Sequence, residues 1–132
     1  MTTPLQRFLG TIAAAALVVT GRRFVPGSAV TGITAHAGGG QASATVLTGE
    51  FNRVDTVVTT ADSVALPTPD YVNQQVTVVN NTATSMQVFG SGTDTINGVA
   101  TATGVAQAAG KMAVYRASSI GAASAWFRLL SA

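Results

Sequence analysis

Cysteine is missing from this 132-residue sequence, so disulfide bonds and thiolate zinc sites are excluded. Charge is scarce as well, because 9% of the residues are charged, against about 25% in an average soluble protein. A neutral surface of small side chains favours close contacts in an assembly over free diffusion as a monomer. The composition therefore predicts that much of the surface is buried against other subunits.

Groups that could perform acid–base chemistry are equally few. The sequence has one histidine, His36, and five carboxylates, which are Glu50, Asp55, Asp62, Asp70 and Asp94. A catalytic triad needs a histidine paired with a nucleophile, and a glycosidase needs two carboxylates about 5 to 10 Å apart across a cleft. No spacing in the sequence enforces either arrangement. We therefore predict that the chain is not an enzyme and holds no metal ion or cofactor.

The basic residues give a formal net charge of +2, but apart from Arg22 and Arg23 they are scattered. A nucleic-acid binder normally has a clustered basic face with interleaved aromatic residues, so no nucleic-acid partner is expected.

The longest apolar run, Phe8 to Thr20, is shorter than the roughly 20 residues that span a bilayer. Arg7 before the run and Ala35-His36-Ala37 beyond it are features of a signal peptide. The arginine pair directly after the run argues against one, and we predict a retained segment without a membrane partner.

Alternation of apolar and polar residues is what the sequence has in abundance, above all from Val72 onward. Such alternation over about five to eight residues is typical of strands with one buried face. The residues that share one side of these segments are Val76 and Val78, Met86 and Val88, and Met112 and Val114. Turn signals such as Asn80-Asn81 recur roughly every 8 to 12 residues, and no internal repeat is apparent. The pattern predicts an all-β fold of about eight or nine strands, a jelly-roll-like antiparallel β-sandwich.

The chain divides into an N-terminal arm, residues 1–36, and a β-sandwich domain, residues 37–132. The run Gly38-Gly39-Gly40 sets this boundary, and we interpret it as a hinge. Within the arm, Gln6 to Val19 fits either a short helix that begins near Pro4 or an extended segment. We expect the arm to dock on a neighbouring molecule. Its candidate contact residues are Arg7, Phe8, Arg22, Arg23 and Phe24.

Aromatic residues make up 6% of the sequence, and two of them are adjacent on the last predicted strand. Successive strand residues point to opposite sides, so one of Trp126 and Phe127 is expected in the core and the other at a partner. Tyr115 and Trp126 are the candidate surface aromatic contacts.

The stretch HAGGGQ lacks the lysine of a phosphate-binding P-loop. The stretch DTING, which contains Asp94, lacks the ligand density of a calcium loop and is interpreted as a strand flanked by an Asx turn.

Several stretches between Ile33 and Ala132 resemble, in order and spacing, a module of tailed-bacteriophage virion proteins. They are ITAHAGGGQASATVLTGEFNRVDTV, DSVALP, VTVVNNTATSMQVFGSGTDTING, AAGKMAVYRA and SAWFRLL. Thr93 stands where the module has glycine. Related modules occur in capsid decoration (cement) proteins, head fibres and tail-associated proteins. The resemblance therefore implies a non-enzymatic virion component that is made in the host cytoplasm.

Chain length favours the decoration protein, because a receptor-binding fibre normally has a long shaft or a large tip domain. The resemblance then implies a protein on the capsid exterior that binds the major capsid protein as a homo-oligomer, most simply a trimer. The alternative is a head-fibre or tail-associated module that attaches to host glycans. Its contacts would be Tyr115, Trp126 and the loop residues Asn80, Asn81 and Asp94. A third class, a fragment of a secreted carbohydrate-active enzyme, would need clustered carboxylates.

Overall fold

The computed structural model describes residues 25–132, which form ten strands and contain no helix, and hence none that could span a membrane. The strands are β1 (Val25–Thr34), β2 (Thr45–Val46), β3 (Gly49–Thr56), β4 (Ser63–Ala65), β5 (Gln75–Asn80), β6 (Met86–Phe89), β7 (Thr95–Ile96), β8 (Val105–Gln107), β9 (Met112–Ser119) and β10 (Ala125–Leu130). The predicted all-β class is confirmed. The candidate arm contacts Arg7, Phe8, Arg22, Arg23 and Phe24 lie outside the described residues.

The strands form two sheets of mixed rather than antiparallel pairing. The six-stranded sheet has the order β1-β3-β5-β9-β10-β7, and the four-stranded sheet has the order β2-β4-β6-β8. Neighbours are parallel from β1 through β3 to β5, from β2 through β4 to β6, and between β7 and β10. Antiparallel pairs join β5 to β9, β9 to β10 and β6 to β8. The predicted antiparallel pairing is therefore wrong for β1 through β6 except where β5 and β6 pair with later strands, and for β7 with β10, and a jelly roll is not confirmed.

The parallel pairs arise because the chain crosses to the other sheet with each successive strand up to β9. As a result β1 with β2, β3 with β4, and β5 with β6 form successive coils. In the six-stranded sheet Val25 pairs with Gly49, and Phe51 pairs with Thr77. Each coil thus takes about two dozen residues, a period typical of solenoid repeats. No sequence repeat accompanies this period, because different side chains hold the turns of each coil.

One hydrophobic core lies between the two sheets and receives side chains from both. The larger core residues, each at most 8% exposed, are Leu47, Val54, Val64, Leu66, Val76, Val78, Met86, Val88, Ile96, Val105, Tyr115 and Trp126. Val76 with Val78 on β5, and Met86 with Val88 on β6, face this core as the alternation predicts.

Strand β9 faces the core with the opposite phase from the one expected. Ala113 and Tyr115 are fully buried, whereas Met112 is 44% exposed and Val114 is half-buried on the outer side. The register explains this, because Ala113 lies opposite the inward-facing Val78 of β5. Apolar residues occupy both sides of β9, so alternation alone does not reveal which side is buried.

Part of the predicted arm is an edge strand of the six-stranded sheet. Residues 25–34 form β1, which is hydrogen bonded to β3, so the predicted boundary after residue 36 does not separate them from the domain. The register shifts within β1, and the N–H groups of Gly27 and Gly32 donate to the carboxylates of Glu50 at 2.8 Å and Asp55 at 2.7 Å. Bulges of this kind discourage an edge strand from pairing with another chain.

Candidate functional site

Four of the five carboxylates, Glu50, Asp55, Asp62 and Asp94, accept backbone hydrogen bonds at turns or bulges of the coils. Asp62 is 1% exposed and accepts hydrogen bonds from the N–H of Val58 at 2.7 Å, the hydroxyl of Thr59 at 2.7 Å and the N–H of Gly38 at 3.3 Å. The hydroxyl of Thr59 is the main cause that lowers the pKa of Asp62 to about 2, and the backbone N–H groups add to it. Asp62 is therefore ionised at neutral pH and ties the turn after β3 to the glycine run.

Asp55 has a comparable role between coils. Its carboxylate accepts hydrogen bonds from the Gly32 N–H of β1, from the Asn81 side-chain amide at 2.8 Å and from the Arg53 guanidinium at 2.9 Å. The hydrogen bond from Asn81 is the largest cause that lowers the pKa of Asp55, with Gly32 and Arg53 contributing in the same direction. Because Asn81 directly follows β5, Asp55 links β1, β3 and the end of β5.

The HAGGGQ segment is a packed turn rather than the predicted hinge. Gly39 has φ +69°, and a Cβ at this position would overlap the carbonyl oxygen of Ala61. The side-chain amide of Gln41 donates to the carbonyl oxygens of Gly90 at 2.8 Å and Gly92 at 2.7 Å. Glycine is needed here for a left-handed conformation and a close backbone approach.

The DTING segment joins the short strand β7 to β10. Asp94 Oδ1 accepts the N–H of Ser124 at 2.7 Å, and Asn97 Oδ1 accepts the N–H of Arg128 at 2.9 Å. The N–H of Asn97 donates to the Trp126 carbonyl at 2.8 Å. Burial raises the pKa of Asp94. Within residues 25–132 no group of three or more histidine or carboxylate side chains could hold a metal ion.

Tyr115 and Trp126, the predicted surface aromatic contacts, are both 0% exposed. This part of the prediction is wrong, because both strand positions face the core. The Tyr115 hydroxyl donates to Gln107 Oε1 at 2.8 Å, and burial raises the pKa of Tyr115. Gln107 Nε2 in turn donates to the carbonyl oxygens of Val78 at 2.9 Å and Lys111 at 3.0 Å. Tyr115 therefore belongs to a buried polar network that joins the two sheets.

The exposed member of the adjacent aromatic pair is Phe127, which points away from the core. It belongs to the outer face of the six-stranded sheet, formed by β3, β5, β9 and β10. The apolar residues of this outer face are Phe51, Val79, Met112, Val114, Phe127 and Leu129. Phe127 is 56% exposed and Leu129 is 75% exposed. Such a contiguous apolar surface is the feature of the fold best suited to contact another molecule.

A groove of about 340 Å³ lies in this outer face, lined by Gln75, Val114, Arg116, Phe127, Arg128 and Leu129. Gln75, Arg116 and Phe127 are directly opposite one another on β5, β9 and β10. Arg116 is exposed, and no side chain among the described residues pairs with its guanidinium. The guanidinium of Arg128, by contrast, donates to the Ala106 carbonyl at 2.6 Å. The groove thus places an unpaired cation beside an exposed aromatic ring.

The outer side of the four-stranded sheet exposes less apolar surface, although Val46 on β2 is 46% exposed there. Ala65 and Phe89 point outward from this sheet, yet they are 6% and 4% exposed and pack with Ala44. Gly104 approaches the Phe89 ring so closely that a Cβ would lie 2.9 Å from it. Among residues 25–132, the larger exposed apolar side is therefore that of the six-stranded sheet.

Arg116 and Leu129 were not among the predicted contact residues, and Met112 was predicted on the buried side of its strand. A signal for Leu129 was present, because strand alternation puts Phe127 and Leu129 outside once Trp126 is inside. The alternation could not indicate which of Trp126 and Phe127 is buried, and the structure decides this through the pairing of Trp126 with the buried Ala117 on β9.

The chain matches no protein-family model, no curated protein and no solved structure.

Proposed function

We propose that this protein is a structural virion component, a capsid decoration (cement) protein that binds the outer capsid surface and stabilises the lattice of the major capsid protein. The observation that carries the proposal is the open apolar outer face of the six-stranded sheet. A face with Phe127 and Leu129 more than half exposed is unfavourable in water unless another molecule covers it. The resemblance of the sequence to virion modules supports the same role.

The proposed mechanism is passive reinforcement. Each subunit would bridge neighbouring capsid proteins at the exterior of the particle and add contact area where internal DNA pressure separates them. A homo-oligomer, most simply a trimer, would engage several capsid subunits at once, so a modest interface repeated many times binds by avidity. The inter-coil contacts of Asp55 and Asp62 support this role, because a rigid subunit loses little conformational entropy on binding.

Reconstitution on particles tests the proposal. Expanded capsids of the parent phage, prepared without this protein, are mixed with purified full-length protein, and the bound copies are counted. We expect saturable binding and a higher temperature of DNA release from the decorated particles. Absence of binding, or binding that leaves particle stability unchanged, would refute the role as a cement protein.

The second candidate function is attachment to host glycans as a head-fibre or tail-associated module. The groove favours it, because an exposed ring at Phe127 lies beside the hydrogen-bonding groups of Gln75 and Arg116. Trp126 is buried and would not serve as the stacking residue. Glycan-array binding that disappears in Phe127→Ala would support attachment, whereas an array without signal would remove it.

A further inference from the structure

We propose that the outer face of the six-stranded sheet is the docking surface for the capsid, and that it takes an apolar strip of a protein subunit with a carboxylate opposite Arg116. This inference rests on the proposed function, because it assigns the contact surface and the chemistry of the partner for the same role.

The composition of the outer face fits a protein partner better than a glycan. Methionine, phenylalanine and arginine are enriched in the centres of protein interfaces. Here Met112, Phe127 and Arg116 lie on adjacent strands, with Leu129 beside them. A sugar carries hydroxyl groups around its ring, so a sugar-binding groove needs polar groups placed to converge on them. In this groove Gln75 and Arg116 are the polar side chains free to converge, since Arg128 is bonded to the backbone.

The charge of the outer face specifies a partner carboxylate. Arg53 pairs with the carboxylate of Asp55. That carboxylate also accepts hydrogen bonds from the Asn81 side-chain amide and the Gly32 N–H. Arg116 lies at the other end of the strands of this sheet, opposite Gln75 and Phe127, and is an unpaired cation on the described part of this face. Burying it against a purely apolar partner would remove its hydration without compensation. Its planar guanidinium is suited to a carboxylate, which can accept two parallel hydrogen bonds.

The same charge argument disfavours a second copy of this chain as the occupant. Two copies packed through this face would each contribute Arg116, while the carboxylate of Asp55 is already engaged within each copy. Such a contact would bring two Arg116 cations into one interface without a free Asp55 carboxylate to pair with either. A different protein surface that supplies the carboxylate avoids this repulsion.

The size of the face indicates how strong a single contact can be. Four strands about 4.8 Å apart and about six residues long form a surface of roughly 20 by 20 Å, or on the order of 400 Å² in projection. A standard stable interface covers about 800 Å² per partner. One subunit alone should therefore bind weakly, and occupancy of a particle should depend on several subunits binding together.

Capsid binding by full-length variants tests the inference. Phe127→Ala and Arg116→Glu should each weaken binding per subunit at least about tenfold. Arg116→Lys should weaken binding less, because lysine keeps the positive charge and loses only the bidentate hydrogen bonding of the guanidinium. Val58→Ser is the matched control, since Val58 is 72% exposed but lies in the turn after β3, outside this face. Fluorescence of the buried Trp126 verifies that every variant is folded.

The outcomes of the binding experiment distinguish failure of the proposed function from failure of the docking-surface inference. Failure of the wild-type protein to bind refutes the proposed function and this inference together. Wild-type binding that Phe127→Ala and Arg116→Glu leave unchanged overturns this inference and leaves the function standing. Loss of self-association in these variants, with capsid binding retained, shows that a second copy covers the face. Loss of glycan binding instead of capsid binding assigns the face to the attachment function.

Hydroxyl-radical footprinting measures the solvent exposure of the same face without mutation. Met112 is 44% exposed on the outer face, and Met86 is fully buried and serves as an internal control. In the free full-length protein Met112 should be oxidised readily and Met86 slowly. On capsids the oxidation of Met112 should fall several-fold. Protection of Met112 already in the free protein would overturn the inference, because another segment or another copy would then cover the face.

Discussion

The buried contact between Tyr115 and Gln107 gives the sharpest test of the fold. Both residues are 0% exposed, and the Tyr115 hydroxyl donates to Gln107 Oε1 at 2.8 Å. The amide of Gln107 donates to Val78 and Lys111 carbonyl oxygens, at 2.9 and 3.0 Å. Gln107 lies on β8 of the four-stranded sheet, whereas Val78 and Tyr115 lie on the six-stranded sheet. The network therefore holds the two sheets together through polar groups inside an apolar core.

Substitutions in this network should be strongly coupled. Tyr115→Phe leaves Gln107 Oε1 buried without a donor, which should lower the free energy of unfolding by about 1–2 kcal/mol. Gln107→Leu leaves the Tyr115 hydroxyl without its acceptor and removes two further hydrogen bonds, for a loss of about 2–3 kcal/mol. In the double variant an apolar pair replaces both partners, so Tyr115→Phe should add little further loss. The coupling energy should therefore be at least about 1 kcal/mol.

Urea unfolding followed by intrinsic fluorescence measures these differences. Trp126 is the single tryptophan of the chain and is fully buried, so its emission reports exposure of the core. The wild type, both single variants and the double variant complete the cycle. Additive losses in the double variant would refute the predicted contact. A Tyr115→Phe variant as stable as the wild type would show that the hydroxyl is not buried against an acceptor.

Three further predictions concern the turns and the last strand. The stability advantage of the wild type over Asp62→Asn should be full above about pH 4 and decline as the pH falls towards about 2, because folding lowers the pKa of Asp62 to about 2. Gly39→Ala should unfold at a lower temperature than Gly38→Ala, because both positions have positive φ but a Cβ at Gly39 alone meets a backbone carbonyl oxygen. Trp126→Ala should lower the free energy of unfolding by about 3–5 kcal/mol, whereas Phe127→Ala should change it by less than about 1 kcal/mol.

These predictions have separate controls. Urea midpoints at several pH values isolate Asp62, and an unchanged gap between wild type and Asp62→Asn at low pH would contradict its lowered pKa. Equal melting temperatures for the two glycine variants would contradict the close approach at Gly39. Comparable losses for Trp126→Ala and Phe127→Ala would show that the assigned phase of β10 is wrong.

The strand content could be predicted from the sequence because alternation is a local property. Val76 with Val78, and Met86 with Val88, are buried as their segments predict. The phase of β9 could not be predicted, because Met112 and Val114 are at least as apolar as the buried Ala113 and Tyr115. The inward side is set by which residue of β9 lies opposite Val78, and that register is a long-range contact.

The candidate site was predicted only in part for the same reason. Adjacent Trp126 and Phe127 indicate one buried and one exposed ring, but their order depends on the pairing of β10 with β9. Tyr115 was expected at the surface and is instead the donor of a buried hydrogen bond. The free guanidinium of Arg116 has no sequence signal, because the absence of a carboxylate beside it depends on which strands pair with β9.

The sequence by itself determined the all-β class, the scarcity of acid–base groups and the positions of most turns, because composition, alternation and turn propensities act over a few residues. Tertiary structure alone decided that successive strands cross between two sheets and stack in parallel coils. A half-buried strand has the same alternation whether its neighbour is parallel or antiparallel, so pairing is settled by the shared core and by inter-coil contacts such as those of Asp55 and Asp62. The same packing left the side of the six-stranded sheet with Phe127 open, while Ala65 and Phe89 on the outer side of the other sheet are buried.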